Sequence, residues 1–74
     1  MSEFKFEVTE SLGVLRKEEG KPFTIEVKKV SWNGKPTKLD IRNWNTEKNI
    51  PLKGISLTDD EVKALIDILK KAGY

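Results

Sequence analysis

Apolar and polar residues alternate with period two along most of the chain up to Leu57, and the spacing then changes to that of a helix. Phe4, Phe6 and Val8 alternate with Lys5, Glu7 and Thr9, the pattern of a strand with one apolar face. Leu12, Val14 and Leu15 follow, with Gly13 among them. A glycine inside a strand pattern marks a bulge or bend, so residues 4–17 read as one long bent strand or two short ones. Arg16 to Pro22 is a polar turn. Phe23, Ile25 and Val27 then alternate with Thr24, Glu26 and Lys28, after which the parity slips and Val30 and Trp32 take even positions. A bulge or strong twist near Lys29 would produce that slip. Without one, Val30 and Trp32 lie opposite Phe23, and Trp32 shares the outward face with Lys28. Asn33-Gly34 is a strong hairpin signal, because both residues tolerate positive φ.

Lys38 to Trp44 is the stretch around which the chain is organised. Leu39 and Ile41 point to one face, and Lys38, Asp40, Arg42 and Trp44 to the other. The expected arrangement is an apolar side for the core and a cationic-aromatic side for solvent. The plainer alternative for Trp44 is that it folds over the sheet edge as peripheral core. Residues 45–52 read as a polar loop, and Lys53 to Leu57 as a short strand. Thr58-Asp59-Asp60-Glu61 has the capping-box pattern, and Asp59 and Asp60 suit the positive end of a helix dipole. The helix runs to about Lys71, with Val62, Leu65, Ile66 and Leu69 as its core stripe. Ala64, Ile68 and Ala72 widen the apolar arc. Either the helix is deeply embedded, or Ala64, Ile68 and Leu65 pack against a second subunit; the second is favoured. Strands first and one helix last predicts an α+β fold, an antiparallel curved sheet of four to five strands followed by a C-terminal helix.

The 74 residues form a single domain, 1–74, near the size at which one core is barely enough. With no Cys and no His, disulfides and Cys/His zinc sites are excluded, which leaves oligomerisation as the common staple and predicts a homodimer. No apolar run approaches a membrane span, and the N-terminus lacks a signal-peptide pattern. A cytoplasmic, nucleoid-associated protein is expected.

Catalysis has little to work with. No Cys nucleophile or His base exists, and capping accounts for Asp59, Asp60 and Glu61. An enzyme is not expected, nor a cofactor or metal. The net charge of +2 is small, but residues 28–53 carry seven Lys and Arg against Asp40 and Glu47. Lys28, Trp32, Lys35, Lys38, Arg42, Trp44 and Lys53 fall on or beside neighbouring strands and their turns. Cations interleaved with aromatics on a sheet suit sequence-tolerant single-strand binding: rings stack on bases and cations follow phosphates. Lys5, Arg16 and Lys17 extend the path.

The run Leu39-Asp40-Ile41-Arg42-Asn43-Trp44, a polar loop, Lys53-Gly54-Ile55-Ser56-Leu57 and a capped helix together resemble the C-terminal domain of the eukaryotic transcriptional positive coactivator family. The whole chain is more similar to the short bacterial YdbC-type members, through Leu12 to Leu15 and Val30 to Gly34. The resemblance implies a homodimer whose curved sheets bind single-stranded DNA without strong sequence preference. Arg42 and Lys53 match cationic contacts of that domain, and Trp32 sits where the family has an aromatic at the strand turn. Trp44-Asn45 stands where the coactivator has two adjacent aromatics, so which ring stacks is left open. The regulatory Ser-rich segment is absent, so coactivation itself does not carry over. The expected function is therefore single-stranded DNA binding, in transcription, replication or repair. The rivals are an RNA-binding regulator and a protein-interaction module built on exposed Trp residues.

Overall fold

The computed structural model describes residues 5–74; Phe4, assigned to the first strand by its alternation, lies outside the described residues. The chain forms β1 (Phe6–Lys17), β2 (Phe23–Trp32), β3 (Lys38–Asn45), β4 (Ile50–Leu57) and α1 (Asp59–Lys71). The strands pair antiparallel in the order β1-β2-β3-β4. This is an α+β fold, an open curved sheet followed by one helix. The first 12-residue strand is the long bent element predicted across Gly13. β4 starts at Ile50 rather than Lys53, so the expected loop shrinks to a turn over 46–49. There the Asn45 side chain accepts from the Glu47 and Lys48 amides, both at 3.1 Å, and Asn49 takes a left-handed φ of 55°. The β2–β3 turn uses Asn33 (φ 51°) and Gly34 (φ 75°) as the sequence predicts.

The parity slip in β2 is not a bulge in that strand. β2 runs against β3 without interruption from Phe23↔Asn45 to Val30↔Lys38, so Trp32, Val30, Lys28, Glu26 and Thr24 share one face. The irregularities lie in β1, where the register shifts at Thr9, Leu12 and Leu15. Each inserted residue bends the strand and increases its twist. The effect is visible in the rings. Trp32 pairs with Phe6 across the β1–β2 ladder, and Trp44 pairs with Thr24 at the far end of β2. Eight residues of straight strand would separate those ends by about 26 Å. Yet the Phe6 ring centroid lies 5.7 Å from each Trp ring. The sheet is curled toward this face, called here the Trp face.

Curling reverses the expected distribution of burial. The face predicted to meet solvent holds Val30, Asp40 (0 % exposed) and Trp44 (2 % exposed). The opposite, aliphatic face, with Ile25, Val27, Leu39, Ile41, Ile55 and Leu57, has no fully buried member, and Ile55 is 55 % exposed. α1 meets the sheet only at β3 and β4, with Val62 and Leu39 lining one shallow cleft. No residue of α1 is buried, so it is not a deeply embedded helix; its stripe residues Ile66 and Leu69 are exposed. The radius of gyration is 13.7 Å, against about 11 Å for a compact domain of this length. Among the described residues no helix is long and apolar enough to cross a membrane.

The helix start follows its local code. The Glu61 amide donates to the Thr58 hydroxyl at 3.2 Å, and the Thr58 amide donates to the Glu61 carboxylate at 2.8 Å. The bond from the Thr58 amide, followed by that to its hydroxyl, holds the Glu61 carboxyl below its ordinary range, with the Lys38 charge adding to the effect.

Gly54 sits opposite Arg42, where β4 carries its own register shift. A Cβ there would stand 2.6 Å from the Ile41 carbonyl oxygen and from the Arg42 Cα. β3 and β4 come this close only because residue 54 has no side chain. Gly54→Ala is expected to lower the unfolding free energy by about 1–3 kcal/mol, the usual cost of overpacking, as measured by urea denaturation.

Candidate nucleic-acid interface

The Trp face owes its chemistry to the period of the strands. Even positions of β2 and β3 bring Thr24, Glu26 and Lys28 opposite Trp44, Arg42 and Asp40, and Ser56 of β4 stands opposite Asp40. A carboxylate with no exposure must be met by charge and hydrogen bonds. Arg42 supplies both: its Nε–H donates to Asp40 Oδ1 at 2.7 Å and an Nη2–H to Oδ2 at 2.9 Å. The Ser56 hydroxyl donates to Asp40 Oδ2 at 2.7 Å and accepts the Trp32 indole N–H at 3.0 Å. An Nη1–H of Arg42 donates to the Leu52 carbonyl at 2.8 Å, and the guanidinium lies 4.6 Å from the Trp32 ring centroid. One network thus fixes a cation and an indole against each other. Among the described residues three of the five guanidinium N–H donors are used, and two remain in a fixed plane, the geometry suited to phosphate oxygens.

The other candidates divide into distinct environments. Lys28 is drawn inward, 3.3 Å from the Glu26 carboxylate and 3.9 Å from the Trp44 ring centroid. Trp44 is enclosed by Lys28 and by Phe6, whose ring meets it at 63°. Its Nε1 is buried without an acceptor among the described residues. Lys35 is exposed in the β2–β3 turn, and Lys53 is exposed on β4 beside Gly54. Lys38 is exposed at the start of β3 but close to the acidic first turn of α1. Arg16 and Lys17 lie at the end of β1, paired with Ile25 and Thr24 of β2. Ala64 and Ile68 are exposed, Ile68 at 61 %, and Leu65 is half-buried. Sequence reasoning missed Phe6, which joins the two Trp rings, along with Ser56, Glu26 and the central position of Asp40. The Asp-x-Arg spacing on one strand face was the available signal for Asp40.

The model of the transcriptional coactivator p15 (PC4) family matches residues 20–68, which span β2, β3, β4 and most of α1. The chain belongs to this family. The p15 (PC4) family is a non-enzymatic one whose domain binds single-stranded DNA. A protein of Treponema pallidum (strain Nichols), described only as an uncharacterized protein, is 43 % identical over 67 residues, covering 90 % of this chain and 78 % of its own length. Within the p15 (PC4) match, Asp40, Arg42, Gly54 and Ser56 act as one unit, because Gly54 permits the strand approach that brings Ser56 and Arg42 onto Asp40.

Ser56→Ala removes the acceptor for Trp32 and a donor to Asp40. It is expected to cost about 1–3 kcal/mol of stability, the penalty for leaving a polar partner unmet. It should also move the Trp32 indole N–H resonance in an NMR correlation spectrum, whereas Ser56→Thr should restore both.

Proposed function

We infer that this chain is a homodimeric, sequence-tolerant single-stranded DNA-binding protein of the bacterial YdbC type, acting in the cytoplasm on exposed strands during transcription, replication or repair. The observation that carries the reading is the Arg42 guanidinium held over the Trp32 ring by Asp40, in a member of a single-strand-binding family. Lys35, Lys38 and Lys53 at the rim supply mobile phosphate contacts, Arg42 a fixed one, and Trp32 the anchored aromatic. Trp44 and Lys28 contribute once their present packing opens.

Dimerisation is supported by the aliphatic face and the helix. Ile55, Ile66 and Ile68 are exposed, no residue of α1 is fully buried, and the radius of gyration exceeds that of a compact domain of this length. In this proposal Ala64, Leu65 and Ile68 meet the partner subunit. I68E is expected to convert a dimer to a monomer in sedimentation equilibrium and to remove the concentration dependence of Tm.

A poly-pyrimidine DNA strand is expected to quench the Trp fluorescence, with the matching duplex binding more weakly. The logarithm of the affinity should fall with log salt by about 0.7 per phosphate neutralised. Lys53→Ala should weaken binding alike for all sequences and reduce that slope by about 0.7. A signal indifferent to salt, or found only with a protein ligand, would overturn the assignment. An RNA strand of the same sequence, run in parallel, tests whether DNA is preferred.

A further inference from the structure

The Trp face carries a second constellation that the Asp40 network does not include. Thr24, Glu26 and Lys28 follow one another at alternate positions of β2. The Thr24 hydroxyl donates to Glu26 Oε2, and the Lys28 ammonium lies 3.3 Å from Glu26 Oε1. Both charged side chains are largely withdrawn from solvent, Lys28 at 13 % and Glu26 at 16 % exposure. The same ammonium lies over the Trp44 ring, 3.9 Å from its centroid, and Trp44 Nε1 is buried with no acceptor among the described residues.

This arrangement is unusual for a surface that handles a polyanion. A carboxylate occupies the position on Lys28 that a phosphate oxygen would take, with the same charge and the same donor. Thr24 fixes that carboxylate, so it is a held counter-charge rather than a mobile surface acid. Lys28 is thereby kept on the ring, and Trp44 is covered. The indole N–H left without an acceptor marks the covered state as incompletely satisfied at its centre, and uncovering the ring would let that N–H reach water or a ligand oxygen.

We propose that Thr24, Glu26 and Lys28 form a latch over Trp44, in which Glu26 is a built-in competitor for the nucleic-acid backbone. An incoming phosphate replaces the Glu26 carboxylate on Lys28. The ammonium moves off the ring, and Trp44 becomes available to a base. The proposal rests on the reading of the Trp face as the single-strand interface, and it assigns Glu26 as the residue that sets the affinity of that interface. It also changes the count of effective cations. While Glu26 is present, the Glu26–Lys28 pair brings no net charge to the strand. Removing the carboxylate charge adds one cation.

E26Q keeps the size and the Thr24 contact while removing the charge. It is expected to bind an oligo-dT strand more tightly than the wild type and to steepen the salt slope by about 0.7, so that its advantage grows about fivefold for each tenfold dilution of salt. The discriminating measurement is a double-mutant cycle, in which the gain from E26Q is measured again in a Lys28→Met background. The latch predicts that the gain disappears there. A gain that persists undiminished would make Glu26 a diffuse repulsive charge and overturn the proposal. The Trp44 indole N–H resonance, assigned by comparison with a Trp32→Phe variant, should shift when wild-type protein is saturated with the strand. An unmoved Trp44 signal at saturation overturns the latch while leaving single-strand binding intact. Failure of wild type and E26Q alike to bind any single strand overturns the interface itself, and the latch with it.

Discussion

The Asp40 carboxylate is sealed from water, and a sealed charge has to be answered from within the protein. Arg42 answers it through two parallel hydrogen bonds and Ser56 through a third. Those bonds exist because the sheet is curled and because β4 approaches β3 at Gly54. A flatter sheet would leave Asp40 wet, and Arg42 would then be an ordinary flexible side chain. Curvature, charge pairing and the posture of Trp32 are therefore one constraint seen at three levels.

Elements governed by local chemistry were legible in the sequence. The alternation of Phe23 to Lys28 and of Lys38 to Trp44, the Asn33-Gly34 turn and the Thr58–Glu61 box each specify their own few residues, and the structure has all of them. Burial was not legible. β3 alternates cleanly and β2 does so only as far as Lys28, and which face closes depends on insertions in β1 of which only Gly13 gives notice. Phe6 could not be connected with Trp44, because their contact spans three strands. A charge balance over residues 28–53 leaves out Glu26 and enters Asp40 only as one negative charge, so it does not reveal that Lys28 and Arg42 each pair with an acid two positions earlier on the same strand.

The two faces of the sheet are finished to different degrees. The Trp face, mixed in composition, is closed by ring contacts, ion pairs and a serine hydroxyl. The opposite face, mainly aliphatic at its centre, is left partly open, with α1 leaning on one corner. Within a single chain the charges of the Trp face are paired, while much of the aliphatic surface stays uncovered. A partner that covers aliphatic surface can be accommodated without disturbing the geometry around Asp40, since the two lie on opposite sides of the strands.

The interruptions in β1 also affect the molecule's outer edge. β1 borders the sheet, and Leu12, Val14 and Leu15 are exposed along it. A regular edge strand of that composition would invite further strands to zip onto it without limit. Three breaks within one strand deny a newcomer the evenly spaced amides and carbonyls that open-ended stacking requires. The irregularity that curls the sheet inward thus also makes its rim a poor template for fibril growth.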